Sequence, residues 1–290
     1  MPKRSLITRL LGQSWARLSY GRFVEPFWLQ TNEIDVRIPG LDPRLEGLRV
    51  LHLTDFHLCR RIPASHIIRS IDRGRHLGCD LIALTGDFVH AGFRHVDEIA
   101  DIVSRLSAPL GVYAVLGNHD YSIRVYGGRP RHPLLAAAVE ESLRKRGIIV
   151  LKNEHRMLEF RGAQIAMAGV CDLWSGDADL ASALRGISPD VPRIVMAHNP
   201  WTIDQAEGRR CDLMLSGHTH GGQIEFALLG TKLLDRFKNR LAAGLYYHDS
   251  GYLYVNKGIG YTVRFRFQVR PEVAVFRLRG WDESGSLNVL

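Results

Sequence analysis

Gly47-Leu-Arg-Val-Leu-His-Leu-Thr-Asp55-Phe-His57 reads as a short apolar strand, residues 48–53, that runs straight into an aspartate and a histidine. The same construction returns four times. Residues 81–85 lead into Gly86-Asp87, 112–116 into Gly117-Asn118-His119-Asp120, 193–197 into His198-Asn199-Pro200, and 213–215 into Ser216-Gly217-His218-Thr219-His220-Gly221-Gly222. The carboxyl ends of neighbouring strands in an α/β sheet open on one crevice, so these five ends should deliver their side chains to one place. One Asp-x-His says little, because a lone histidine is usually a satisfied surface or core residue. Five polar strand ends in succession carry the argument, and the flanking glycines permit the tight turns such a site needs.

Working outward, further strands are expected over 148–151, 164–170, 252–256 and 272–278. Residues 65–77, 95–106 and 133–146 carry apolar positions at three- and four-residue spacing and should be helices. Strand and helix alternate through the first 120 residues, while the later part is strand-rich. The expected fold class is α/β, a two-sheet sandwich with helices outside and the strand-end loops forming the site. The expected division is a basic N-terminal segment and lead-in over 1–46, a catalytic domain over 47–280 and a tail over 281–290. The loop at 127–133, and Asp172 and Trp174 after the 164–170 strand, are candidates for the rim of the site.

The 290 residues are 46% hydrophobic and 23% charged, which excludes disordered, collagenous and disulfide-scaffold classes. Cys59, Cys79, Cys171 and Cys211 lie far apart and are expected to be reduced. No run is long and apolar enough for a membrane span. Lys and Arg number 38 against 30 Asp and Glu, a net charge of +8 that favours anionic partners. Residues 1–24 concentrate this charge: Lys3, Arg4, Arg9, Arg17 and Arg22 without one acid, around Leu6, Ile7, Leu10, Leu11, Trp15 and Leu18. That pattern suits a helix at an anionic membrane interface, or equally one packed on the protein itself. A secretory signal fits less well, because Arg9 interrupts the apolar stretch.

The donor inventory is mixed oxygen and imidazole without thiolate, which suits Mn, Fe or Zn better than Ca. Two carboxylates, an asparagine and four histidines exceed the needs of one ion. Two ions sharing a carboxylate would use them all and would clamp the attacking and leaving oxygens of a phosphoryl displacement. Hydrolysis of a phosphoester or pyrophosphate is the chemistry suggested.

The ordered set DFH, GDF, GNHD, HNP and GHTHGG closely resembles the calcineurin-like metallophosphoesterase superfamily, over residues 48–280. The resemblance implies that Asp55, His57 and His220 hold one metal, that Asp87 bridges, and that Asn118, His198 and His218 hold the second. It implies that His119 contacts the phosphate and protonates the leaving oxygen, with Asp120 orienting it. Two divalent cations are implied, Mn preferred over Fe or Zn. Val24-Glu25-Pro26, the GHTHGGQI segment and the run to FRL276–278 resemble the branch holding YkuE-type phosphodiesterases and chlamydial-type UDP-2,3-diacylglucosamine pyrophosphatases.

The favoured substrate on that resemblance is UDP-2,3-diacylglucosamine, cleaved to UMP and a lipid monophosphate in lipid A biosynthesis. A broad metal-dependent phosphodiesterase is the enzymatic alternative, and a non-catalytic binding scaffold on the same fold is the other. Leu228, Leu229, Leu233, Leu234, Phe237 and Leu241, interleaved with Lys232, Arg236, Lys238 and Arg240, add a second candidate membrane contact over 228–241. Nucleic acid is disfavoured as a partner, since no recognition motif or basic stripe with aromatics is present. The expected location is cytoplasmic, with peripheral attachment to the inner membrane through these segments.

Overall fold

The computed structural model describes residues 6–222 and 241–281, with side chains from residue 15. The strands are β1 (Gln30–Ile38), β2 (Arg49–Leu53), β3 (Leu81–Thr85), β4 (Val112–Val115), β5 (Ile149–Val150), β6 (Glu154–Phe160), β7 (Ala163–Gly169), β8 (Arg193–Met196), β9 (Leu213–Ser216), β10 (Gly244–His248), β11 (Gly251–Val255) and β12 (Glu272–Gly280). The helices are α1 (Leu6–Phe23), α2 (Ala64–Arg75), α3 (Val96–Val103), α4 (Leu135–Lys145) and α5 (Leu180–Leu184). One sheet runs β1-β12-β2-β3-β4-β5 and the other β10-β11-β9-β8-β7-β6. Within them β2, β3, β4 and β5 are parallel, as are β7, β8, β9 and β11.

Strand periodicity sorts the core into layers. In β2, Val50 faces the second sheet, while Leu51 and Leu53 face the helices. In β7, Ile165 and Met167 fill the space between the sheets, and Ala166 and Ala168 meet α5 on the outside. Helices α2, α3 and α4 cover the first sheet with Ile67, Ile71, Ile99, Val103, Val139 and Leu143, all buried at helical spacing. Each such side chain contributes about 1.5–3 kcal/mol by leaving water. The result is the α/β two-sheet sandwich expected from the sequence.

Three strands have no counterpart among the expected ones, β1, β6 and β10, and all three are sheet edges. Their text, QTNEIDVRI, EHRMLEF and GLYYH, lacks an apolar run because one side of each meets solvent. Strand β1 pairs in parallel with β12 along its full length, Gln30 opposite Glu272 through Ile38 opposite Gly280. Residues 30–38 of the expected lead-in are therefore part of the main sheet.

Among its described side chains, the N-terminal helix docks by its last turn. Gly21 is buried and its carbonyl accepts from the Arg266 amide at 2.9 Å, while the Tyr20 ring meets Trp28 and Phe267 edge-on. Residues 15–19 are exposed on every side, Trp15 to 70% and Leu18 to 53%. Of its other apolar residues, Leu6, Ile7, Leu10 and Leu11 have side chains outside the described set. The excursion at 228–240 and the tail beyond 281 also lie outside it. Among the described residues no helix is long and apolar enough to cross a membrane. All four cysteines are unpaired.

Candidate metal centre

The five strand ends meet across the two sheets. Asp55 and His57 follow β2, Asp87 follows β3, Asn118 to Asp120 follow β4, His198 follows β8, and His218 and His220 follow β9. Donor atoms of Asp55, His57 and His220 lie within 4.8 Å of one another, and so do those of Asp55, Asp87 and His198. Asp87 Oδ2 is 3.3 Å from both His57 Nε2 and His198 Nε2, midway between the two groups. His57 Nε2 and His220 Nε2 are 2.9 Å apart, and Asn118 Oδ1 is 3.0 Å from His218 Nδ1. All seven candidate ligands thus converge on one buried spot.

The backbone is bent to bring them there. Nine described non-glycine residues have positive φ, and five of these are Asp55, His57, Asp87, His218 and His220. Left-handed backbone costs a branched side chain roughly 1 kcal/mol or more, so its concentration in one cluster marks a place where geometry outranks local stability. Close packing allows no extra atoms: a Cβ on Gly117 would collide with Asp87 Oδ1, and one on Gly217 with Asp55 Oδ2.

Hydrogen bonds then aim each donor. The His198 Nδ1–H donates across the sheets to the Thr85 carbonyl at 2.6 Å, which leaves Nε2 toward Asp87. The Asn118 amide donates to the Ile123 carbonyl at 2.8 Å and so points its Oδ1 inward. The His119 amide donates to Asp87 Oδ1 at 2.9 Å, and the His218 amide to both oxygens of Asp55 at 3.1 Å.

Burial alone would raise both central carboxyls, but the surrounding imidazoles outweigh it and hold Asp55 and Asp87 below the ordinary carboxylate range. Burial pushes His218 down to about 4, with His198 adding to it, and drives His220 well below its ordinary value against the opposing charge of Asp55. Ionised carboxylates beside neutral imidazoles are the protonation states that metal ligands require. His198 is the exception: burial opposes its charge, yet Asp87 and Asp55 raise it well above its ordinary value. Its buried Nε2 faces Asp87 Oδ2 at 3.3 Å without a well-formed hydrogen bond, an orientation that suits a cation between them. The donor set fits a pair of divalent cations.

His119 sits at the edge of the cluster, its ring 4.5 Å from that of His57. Asp120 does not orient it. The Asp120 carboxylate turns back beneath the loop, accepting the Gly117 amide at 3.0 Å and the Val89 amide at 3.2 Å, so it fixes the turn itself. The His119 ring is set instead by His90 and Arg124: Nδ1 lies 2.9 Å from the His90 carbonyl and 2.9 Å from Arg124 Nη1. Arg124 Nη2 donates to the same carbonyl at 2.5 Å. Burial lowers His119 to about 3, His57 and Arg124 adding to the effect and Asp87 opposing it.

Two of these residues carried a sequence signal that went unread. His90 is one of eight histidines without a strand-end motif, but it stands three residues after Asp87, in the same loop. Arg124 stands five after His119. Arg266 has no local signal at all. Fully buried, it donates to the carbonyls of Lys257 at 2.8 Å, Gly258 at 3.2 Å, Gly260 at 2.5 Å and Val269 at 3.2 Å. That loop lies directly behind Asp55, whose carbonyl accepts the Gly260 amide at 2.6 Å.

Residues 48–222 match the family model for calcineurin-like phosphoesterases. The chain belongs to that family and is a metal-dependent phosphoester hydrolase. Among its relatives is the phosphodiesterase YaeI of Escherichia coli, 31% identical, the match covering 89% of this chain and 92% of that protein. The uncharacterized metallophosphoesterase YkuE of Bacillus subtilis is 28% identical over 90% of this chain and 89% of its own. The UDP-2,3-diacylglucosamine pyrophosphatase LpxG of Chlamydia trachomatis is 28% identical over 93% and 95%.

Proposed function

We propose that the protein hydrolyses a lipid-linked nucleoside diphosphate at an anionic membrane surface, with UDP-2,3-diacylglucosamine the favoured substrate and UMP a product. The observation that carries this reading is an apolar, arginine-rimmed surface on α1 and the segments packed against its last turn. Trp15, Leu18, Phe23, Val24, Trp28 and Val263 are exposed there among Arg17, Arg22, Arg264 and Arg270. The guanidinium of Arg270 lies 3.5 Å over the Trp28 ring, and that of Arg264 5.6 Å over Phe23. Apolar side chains rimmed by arginines suit the boundary between headgroups and acyl chains. The likeness to LpxG supports the same substrate.

In this reading Asp55, His57 and His220 would hold one ion, Asn118, His198 and His218 would hold the other, and Asp87 would serve both. When bound, such a pair neutralises phosphate charge and makes water nucleophilic near neutral pH. The chain's own part is positional. Thr85 and Ile123 carbonyls fix the ligands, and His90 with Arg124 fix the His119 ring where it can exchange a proton with the leaving oxygen. His119 is neutral in the protein alone. An anionic phosphate beside it raises its proton affinity, as Asp87 already does, and equips it as the acid.

The likeness to YaeI favours a second reading, a phosphodiesterase of wider substrate range. A binding scaffold without activity is disfavoured, since every candidate ligand and His119 is in place. The test is UMP release from UDP-2,3-diacylglucosamine with Mn²⁺, run beside a simple phosphodiester. Release establishes the lipid substrate, whereas cleavage of the simple ester alone selects the second reading.

A further inference from the structure

Adjacent parallel strands β7 and β8 end in the same construction. Gly169 pairs with Met196, and three residues beyond that pair stand Asp172 and Asn199. Each side chain accepts the backbone amide two residues on: Asp172 from Trp174 at 2.8 Å and Asn199 from Trp201 at 3.1 Å. Two identical Asx turns, in register, therefore launch two tryptophans from neighbouring strand ends. Both indoles close on His218, with ring centroids 4.6 Å away at 81° for Trp174 and 6.2 Å away at 89° for Trp201. Both are half-buried, so part of each indole stays open to solvent beside a candidate metal ligand.

Two half-exposed indoles next to a charged cluster suit a ligand that is flat and apolar at one end and anionic at the other. An acyl chain asks for a continuous apolar wall, whereas these two rings meet at the polar imidazole of His218. A nucleobase asks only for faces, and stacks on them with about 1–3 kcal/mol per base. We infer that Trp174 and Trp201 form a base-stacking platform that holds the nucleobase of a nucleoside phosphate while its phosphate lies at His218. The inference rests on the phosphohydrolase reading above and specifies its substrate as a nucleotide rather than any phosphodiester.

The test is binding, measured calorimetrically on the full chain reconstituted with Mn²⁺, of UMP against ribose 5-phosphate and glucose 1-phosphate. UMP is expected to bind about 5- to 150-fold tighter than ribose 5-phosphate, the value of one to three kcal/mol of stacking. Trp174→Leu and Trp201→Leu should each shrink that ratio while ribose 5-phosphate affinity holds, and Trp174→Phe should keep part of it. Equal affinity of the wild type for UMP and ribose 5-phosphate would overturn the platform. So would parallel loss of both ligands in the Leu variants, which would make the indoles mere support for His218, or glucose 1-phosphate matching UMP, which would assign them to a sugar. Trp174→Phe carries the test if Trp174→Leu misfolds. Tryptophan-dependent UMP binding by a protein that hydrolyses no phosphoester would leave the platform standing and remove only the hydrolase reading.

Discussion

At the scale of single residues, neighbouring acids and bases divide structural from chemical work. His119 reaches the cluster through its ring, while Asp120, next in sequence, spends both oxygens on backbone amides. His119→Ala is expected to lower turnover roughly 10²- to 10⁴-fold, the usual worth of a positioned proton donor, and to leave bound metal unchanged by elemental analysis. Near-normal turnover would remove its assigned role. Asp172 offers a titration. Burial raises its carboxyl to about 6, partly offset by His198, against an unfolded value near 4. Below about pH 4 folded and unfolded chains are both protonated and its contribution is complete. Between about 4 and 6 only the unfolded chain ionises, so stability is lost as pH rises, by up to about 3 kcal/mol. In metal-free protein, urea midpoints of wild type should therefore fall relative to Asp172→Asn across that window, the asparagine keeping the Asx turn. Parallel curves would show that Asp172 is ionised in the fold.

At the scale of elements, the site is a property of strand ends and was legible for that reason. The four parallel strands that carry Asp55, Asp87, His198 and His218 are buried on both faces and read as apolar runs, so their ends could be located to within a residue or two. Edge strands β1, β6 and β10 escaped because their outer faces are polar. His90 and Arg124 escaped because their roles depend on how the β3 and β4 loops lie against each other, which spacing does not encode. Asp120 was misplaced for the same reason: adjacency to His119 in sequence says nothing of which way the turn sends its side chain. Contact between those loops is tight enough to test. Gly117→Ala places a methyl against Asp87 Oδ1 and the Asp87 amide, and must displace that candidate ligand. Metal affinity is expected to fall about 10- to 100-fold, the range for lost support of a ligand, with the far-UV spectrum retained. Unaltered affinity would mean that the β4 loop yields instead.

At the scale of the whole molecule, the N-terminal helix and the metal centre share one support. Arg266 ties the loop behind Asp55, its own amide is bonded to Gly21 of α1, and its charge is balanced by Asp55, Glu25 and Glu272 although burial lowers it to about 10. The helix, exposed over residues 15–19, is thus rooted within a few residues of a candidate ligand. Charge gives it a direction. Over residues 15–28 and 261–271 four arginines, Arg17, Arg22, Arg264 and Arg270, reach the surface, while the fifth, Arg266, and the one acid, Glu25, are buried. Each exposed basic residue near an anionic surface is worth about 1 kcal/mol, screened over roughly 10 Å in 0.1 M salt. The chain should therefore co-sediment with vesicles containing anionic lipid, bind neutral vesicles more weakly, and be released as salt rises. Arg22→Glu with Arg264→Glu should cut binding to anionic vesicles at least about tenfold, since two attractions become repulsions. Trp15→Ser with Leu18→Ser should weaken binding to both kinds of vesicle, because those side chains act by leaving water rather than by charge. Hydrolysis of a short water-soluble substrate should be untouched by the Trp15 and Leu18 changes, which lie in the exposed turns of α1 away from Gly21. Equal binding of wild type to neutral and anionic vesicles, insensitive to all four substitutions, would detach the helix from any membrane role.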